Sequence, residues 1–312
     1  KNFEILADGG ARAQYTFDRV KTRVDAGEAD PVELEEAKAR LFAIKSDIRN
    51  ARLKAYTTRQ TLAVAMGLKP KELTNAPYAI ETFPEVMDPK SLKPAVTKIF
   101  VDEALKLRGD YLSALQGIIT QKIVTNRSKN QILPSLEFET QFGYAGLDES
   151  NSNSRVFRSL ANQINGLNLL TSLTFEWPVQ NNAAKGSYLK NKSLSEEAKL
   201  TSDNLSNKIA SDVLIATEKL ASAIDEYNLA NKSVNSYKRS LENKRVKLQD
   251  GELSITDLLN VETLYLQSRV VKNAAQSKYA IALAELRFVT GTILDARDEE
   301  ATFNPKSLTE LP

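Results

Sequence analysis

The sequence predicts a mainly α fold of long coiled-coil helical hairpins, joined by one strand pair that alternates as a lipid-facing β-hairpin does. Three observations predict it. A segment running from glycine to glycine occurs twice, at 27–67 and 251–291. A near breaker-free run extends from about Ala183 to Leu248. Two stretches, at 135–144 and 169–179, alternate apolar with polar.

The repeat comes first. Residues 27–67 begin Gly27-Glu28-Ala29-Asp30-Pro31 and end Met66-Gly67-Leu68. Residues 251–291 begin Gly251-Glu252-Leu253-Ser254-Ile255 and end Thr290-Gly291-Thr292. The second copy follows the first at a constant offset of 224 and without a gap, matching Leu34 to Leu258, Ala51 to Ala275, Leu62 to Leu286 and Glu33 to Asp257. Each copy reads as helix, tight turn, helix. Gly27 and Gly251 provide the left-handed backbone after a helix end. Asp30 and Ser254 are N-cap residue types, and Pro31 suits a first helical turn.

The long run carries apolar positions at Leu205, Ile209, Val213, Ala216, Leu220, Ala223, Tyr227, Ala230, Val234, Tyr237 and Leu241, in steps of 3 and 4 that make a heptad seam. At 1.5 Å per residue it would reach roughly 100 Å. The return helix carries one stripe through Leu258, Val261, Tyr265, Ala275, Tyr279, Ala282 and Leu286. A second stripe runs through Leu264, Val271, Ala274 and Ile281. Two stripes fit neighbours on both sides, as in a ring of helices; a two-stranded coil with a wide interface fits the periodicity equally.

Residues 135–144 place Leu136, Phe138, Thr140, Phe142 and Tyr144 on one face and Glu137, Glu139 and Gln141 on the other. Residues 169–179 place Leu169, Thr171, Leu173, Phe175, Trp177 and Val179 opposite Leu170, Ser172, Thr174 and Glu176. About ten residues is the length of a tilted membrane-spanning strand, and Tyr144 and Trp177 suit interfacial belts. An amphipathic hairpin lying on a helical core would alternate in the same way. Two strands cannot close a barrel, so the membrane reading requires further strands from elsewhere.

Composition narrows the chemistry. Lys plus Arg number 42 and Asp plus Glu 40, a net charge of +2 that gives no electrostatic case for nucleic acid. There is no Cys and no His, so thiolate chemistry is excluded and the commonest general base and metal ligand are missing. No P-loop, GxSxG or HExxH occurs. No enzyme, cofactor or metal site is therefore expected.

The ordered set of hairpin turns, Val24-Asp25-Ala26-Gly27…Val32-Glu33-Leu34 and Leu248-Gln249-Asp250-Gly251…Thr256-Asp257-Leu258, resembles the TolC-type outer-membrane efflux family. Ile132-Leu133-Pro134-Ser135-Leu136 is similar to the family's lead into a strand, and Glu176-Trp177-Pro178-Val179 to its way out. The resemblance covers roughly residues 11–291. It implies a homotrimer with a 12-strand barrel in the outer membrane and a 12-helix tunnel, an α-barrel, in the periplasm. It also implies a periplasmic adaptor (membrane fusion) protein, an inner-membrane transporter reached through that adaptor, and outer-membrane lipid as partners.

On that frame, 1–68 is a first-repeat hairpin truncated at its N-terminus and 69–94 a Pro-rich equatorial linker. Residues 95–131 are a helix leading to the membrane, and 132–179 the strand pair with its loop. Residues 180–291 are the second-repeat hairpin and 292–312 an equatorial tail. The first-repeat counterparts of 95–224 would fall before Lys1. Gly9-Gly10 lies within a long helix, where the sequence offers no account of it. The alternative on the same sequence is a soluble periplasmic coiled-coil adaptor or scaffold.

The resemblance implies a tunnel closed at the helical tips, with acidic rings facing cations. The matched entrance positions are Glu33, Asp257, Asn260, Leu248 and Leu253. Asn260 stands where a second aspartate is frequent. Leu248 and Leu253 replace a Tyr and an Arg, which implies an apolar constriction in place of a salt-bridged latch. Asp257 would equally serve as a first-turn carboxylate favoured by the helix dipole, by about 0.3–1 kcal/mol. Gly27, Leu34, Gly251, Ser254, Leu258 and Leu253 would form the tips that dock the adaptor, and packing within the hairpin is the competing role for the leucines. Phe138, Phe142, Tyr144, Leu173, Phe175 and Trp177 would face lipid.

Overall fold

The computed structural model describes residues 1–75, 78, 82–88, 94–144, 167–249, 253–295, 302–303 and 309–312. Its helices are α1 (Asn2–Asp25), α2 (Pro31–Ala65), α3 (Pro94–Leu107), α4 (Gly109–Asn130), α5 (Asn182–Gln249) and α6 (Ile255–Thr290). Its strands are β1 (Ser135–Tyr144), β2 (Leu167–Glu176), β3 (Leu294–Asp295) and β4 (Thr302–Phe303). The chain divides into two compact units, one made of 1–108 with 208–312, the other of 109–207.

The repeat is visible in the helix boundaries. α1 and α5 end at Asp25 and Gln249, and α2 and α6 begin at Pro31 and Ile255, each pair at the same offset of 224. The helix ends share one backbone solution. Gly27, Gly67 and Gly291 have φ of 73°, 75° and 73°. At each, the next residue donates back across the last turn: Glu28 N–H to Arg23 O, Leu68 N–H to Ala63 O and Thr292 N–H to Arg287 O, at 2.8, 3.1 and 3.0 Å. This is the Schellman closure, which needs a residue at positive φ and so favours glycine. Gly251, the fourth member of the set, lies outside the described residues.

In the first unit, α5 and α6 run antiparallel. Lys219–Glu285, Glu226–Lys278 and Arg245–Glu262 bridge them at 2.6, 2.8 and 3.0 Å. The heptad seam of α5 is where the sequence places it: Ile209, Val213, Ala216, Leu220, Ala223, Ala230, Val234 and Leu241 are all buried. So are Leu258, Val261, Ala275, Tyr279, Ala282 and Leu286 of α6. Each large side chain removed from water in this way contributes about 1.5–3 kcal/mol. The second stripe of α6 remains open, with Leu264, Val271 and Ile281 exposed.

Gly9 and Gly10 are contact points. A Cβ on Gly9 would stand 2.8 Å from both Leu266 methyls of α6, and one on Gly10 would stand 2.6 Å from Ile48 Cδ1 of α2. Adjacent glycines therefore let α1 approach two helices at one level, which is the reason for the pair that the sequence did not supply.

Around the end of α6, segments without helix are tied down by side chains. The Tyr279 hydroxyl bonds to the Met87 backbone. Arg287 donates to the carbonyls of Glu310 and Leu311 at 2.9 and 2.6 Å. Helix runs 94–107 and 109–130 are separate, and the Arg108 backbone between them passes 3.4 Å from where a Gly291 Cβ would be. The β3–β4 ladder, two residues a side, is an element that the sequence reading lacks.

In the second unit, β1 and β2 pair antiparallel with Leu136 opposite Phe175, Phe138 opposite Leu173, Thr140 opposite Thr171 and Phe142 opposite Leu169. Directly opposed residues share a face, so the two apolar faces coincide. β2 ends at Glu176 because Pro178 has no N–H to offer a ladder. Trp177 and Val179 thus lie just past the strand. Asn181 joins the two strand bases by donating to Gln131 O and Ile132 O at 3.3 and 3.0 Å. Asn191 of α5 anchors α4 below them. Its carbonyl accepts from Thr125 Oγ1 at 3.0 Å, and its side chain donates to Ser128 Oγ at 2.5 Å. The loop Asp148–Ser154 lies outside the described residues.

Candidate functional site at the helical tips

Two capped helix starts make the tip. Asp30 caps α2, its Oδ1 accepting from Val32 N–H at 2.8 Å. Ser254 caps α6: its Oγ accepts from Asp257 N–H at 3.3 Å and donates to Asp257 Oδ2 at 2.9 Å. Such caps satisfy first-turn N–H groups that the helix itself leaves without partners. Glu33 and Asp257 therefore occupy the same place, the third residue after each cap. Thr256 Oγ1 donates to Glu36 Oε2 at 2.5 Å, joining the first turn of α6 to the second turn of α2.

Beneath the caps, four helices share one apolar cluster: Val20 of α1, Ala37 of α2, Leu241 of α5, and Ile255, Leu258, Leu259 and Val261 of α6. Leu34 and Leu248 are half-buried against it. Leu258 is 5% exposed, so it packs inside the hairpin. Leu253 and Glu33 are half-buried, while Asp257, Asn260 and Ser254 are exposed. Gly27 carries the left-handed turn with open space around its Cβ position.

One carboxylate went unnoticed in the sequence. Glu262, its side chain 11% exposed, accepts from Arg245 of α5 at 3.0 Å and from Thr16 of α1 at 3.5 Å. Burial pushes the nearby Arg40 guanidinium of α2 below its ordinary value, and Asp47 and Glu262 oppose that shift. The available signal was a Glu directly after Val261 in the buried stripe.

A second polar cluster lies farther along α1 and α6. Asp8 bridges Arg12, at 2.9 Å, and Arg269. Both guanidiniums lie over the Tyr265 ring, at 5.4 and 5.7 Å from its centroid. Burial would raise the Asp8 carboxyl, but the bonds and charges of Arg269 and Arg12 outweigh it and hold the group below the usual carboxylate value.

The apolar strand face forms a second candidate surface. Phe138, Phe142, Leu173, Phe175 and Trp177 are each at least 64% exposed. Tyr144 pairs with Leu167 through its backbone; its side chain lies outside the described residues. Among the described residues no cluster of acidic side chains has the arrangement of a metal site, and no helix is long and apolar enough to cross a membrane.

No family model matches this sequence, and no curated protein matches it. Solved structures do match. The Campylobacter jejuni CmeC outer membrane channel superposes with a TM-score of 0.67 at 18% identity, over 94% of this chain and 59% of that one. CusC, whose structures concern folding and transmembrane channel formation, gives 0.72 at 14% identity over 93% and 64%. The outer membrane protein VceC of Vibrio cholerae gives 0.70 at 13% identity over 93% and 65%. The fold is the one these TolC-type channels share, and this chain spans about three fifths of their length.

Proposed function

We propose that this chain, sharing its fold with outer-membrane channels, is part of a channel subunit giving passive exit to substrates of a tripartite efflux or type I secretion machine. Three copies form one duct, in the outer membrane of a Gram-negative-type cell, with most of the chain in the periplasm. The observation that carries this reading is the β1–β2 hairpin. One face carries Leu136, Phe138, Phe142, Leu169, Leu173 and Phe175, each more than half exposed, and the other bears Glu137, Glu139 and Glu176. That division suits a wall with lipid outside and water inside. A soluble adaptor or scaffold would leave the apolar face in water. The open α6 stripe supports assembly in the same way.

The tips are the gate in this reading. Glu33 and Asp257 line the entrance as carboxylate rings, Asn260 leaves the second ring weaker, and Leu248 and Leu253 narrow the passage. The adaptor docks on the turns at Gly27, Leu34, Gly251 and Ser254, with buried Leu258 holding the turn in shape; the inner-membrane transporter connects through the adaptor. Full-length protein extracted in detergent should run as three chains and form cation-preferring channels in planar bilayers. Glu33→Gln with Asp257→Asn should reduce that preference and weaken block by trivalent cations, because a narrow, poorly screened ring concentrates counter-ions. A stable detergent-free monomer with folded strands would refute the channel reading. Unchanged selectivity in the double variant would assign the carboxylates to the helix ends alone.

A further inference from the structure

The base of the β1–β2 hairpin adjoins a stretch of one charge sign. Residues 111–136 and 177–195 lead into and out of the strands. They hold six basic side chains, Lys122, Arg127, Lys129, Lys185, Lys190 and Lys192, and no acidic one. The whole sequence carries 42 basic and 40 acidic residues, so the run is a local excess. All six are exposed, and among the described residues none has an ion-pair partner or a side-chain hydrogen bond. Farther along α5 both signs return, and Lys199 bridges Glu196 at 2.9 Å.

One contact places four of these cations at a single level. Asn191 Nδ2 donates to Ser128 Oγ at 2.5 Å, so the two side chains point at each other between α5 and α4. Arg127 and Lys129 flank Ser128, and Lys190 and Lys192 flank Asn191. On a helix, each neighbour of a contact residue is turned by about 100° to one side. Each side of the α4–α5 pair therefore carries one cation from each helix. The level is close to the strands: α4 ends at Asn130 and β1 begins at Ser135. Trp177, 69% exposed, stands just past β2 at the same end of the hairpin.

We infer that this basic belt binds the anionic headgroups of phospholipid on the periplasmic side of the outer membrane. The inference rests on the channel reading above and adds a lipid class and the residues that hold it. Continuity with the apolar strand face favours lipid over a soluble anion. So does the mixture of side chains: Ile123 and Leu189, beside Lys122 and Lys190 in the sequence, are exposed. Apolar and cationic groups together suit the edge of a bilayer. There the long stems of Lys and Arg lie along hydrocarbon while their charges reach the phosphates. Trp is the residue type of the headgroup level, which sets Trp177 between the strand face and the belt. A negatively charged lipid surface attracts each such cation within about a Debye length.

Trp177 is the one tryptophan of this sequence, so its fluorescence reports the lipids beside it. Full-length protein with Trp177 as sole tryptophan is reconstituted in vesicles of dioleoylphosphatidylcholine and dioleoylphosphatidylglycerol in equal parts, with one or the other brominated. Brominated phosphatidylglycerol should quench more strongly, to a degree matching a local enrichment of about threefold to tenfold that falls as sodium chloride is raised. The variant Arg127→Gln, Lys129→Gln, Lys190→Gln, Lys192→Gln should lose the preference. Lys129→Arg, Lys190→Arg, Lys192→Arg should keep it, and Lys199→Gln should leave it unchanged. Equal quenching by the two lipids in the parent overturns the belt and leaves the channel reading standing. Quenching by neither overturns both. A preference that is independent of salt, or that survives in the Gln variant, overturns the assignment to these side chains. Loss of the preference in inorganic phosphate, but not in chloride of the same ionic strength, assigns them to a soluble anion and overturns the lipid partner. Altered ion selectivity of the Gln variant in planar bilayers, with its lipid preference intact, assigns them to the passage and overturns the belt.

Discussion

Replacing Glu262 by Gln separates the contribution of charge from that of shape at the point where four helices meet. Gln keeps the length and can still accept from Arg245 and Thr16, but both bonds become neutral on the acceptor side. A charge-assisted hydrogen bond contributes about 1.5–3 kcal/mol and a neutral one about 0.5–1.5. The Glu262 side chain is 11% exposed, while Arg245 is 45% exposed and recovers part of its hydration. Screening on the arginine side places the expected loss at the lower end, about 1 kcal/mol. The carboxylate also offsets the burial of Arg40, so its neutralisation acts in the same direction. With a urea slope toward the upper end of the usual range of about 1–3 kcal/mol per M, the unfolding midpoint of detergent-solubilised protein should fall by about 0.3 M. Glu285→Gln is the comparison: its 2.6 Å bond to Lys219 joins two side chains that are 38% and 53% exposed. Solvent-exposed pairs contribute about 0–1 kcal/mol, so its midpoint should hardly move. Equal midpoint shifts in the two variants would refute the argument that burial, and not bond length, sets the value of these bridges.

Three further outcomes follow from the contacts. Gly10→Ala gains about 0.5–1 kcal/mol of helix propensity but drives a Cβ to 2.6 Å from Ile48 Cδ1, with an overpacking cost of about 1–3 kcal/mol, so thermal stability should fall; Gly117→Ala, with nothing within 4 Å, should raise it. Asp8 has a folded value below its unfolded value near 3.8, so its stabilisation is complete above that pH and is lost as pH falls through the depressed value. The melting difference between the parent and Asp8→Asn should therefore stay constant from neutral pH to about 4 and shrink only under stronger acid, as scanning fluorimetry at stepped pH would show. Trp177→Asp should lower outer-membrane yield more than Glu176→Ala, since a charge on the apolar face costs up to a few kcal/mol near the bilayer centre and less at its edge; equal yields would contradict the face assignment.

What the sequence disclosed were features with one physical solution. A glycine closing a helix at positive φ has few substitutes, so Gly27, Gly67 and Gly291 marked the helix ends and the repeat together. Alternation in β1 and β2 fixed which residues share a face, and the register agrees pair by pair. The buried α5 seam followed from steps of 3 and 4. Less was legible where the reason lay in a partner. Gly9 and Gly10 look like helix defects until Leu266 and Ile48 are seen against them. Glu262 reads as one more helical carboxylate until Arg245 and Thr16 are placed beside it. The break at Arg108 meets Gly291, a glycine from the far end of the sequence. At the tips, the pattern identified the capped starts but did not separate Leu258, buried in the hairpin, from the half-buried Leu253.

The β1–β2 hairpin has a consequence for how the molecule is made. Its ten-residue strands bury almost nothing against their own chain, and a lone two-stranded hairpin is marginal in water. The helical unit, by contrast, gains its seams from contacts available to a single polypeptide. In the proposed channel, synthesis therefore yields a folded coil with an unfinished end, and completing that end with strands of other copies is a reaction of higher molecular order. Its rate should rise with local chain concentration and be set by encounter, not by turn formation. On that reading, until encounter the apolar strands present sticky edges that a holdase would need to cover. A lesion that merely slows docking of the coils would thus appear as proteolysis or aggregation at the strands, far along the sequence from the residue that was changed.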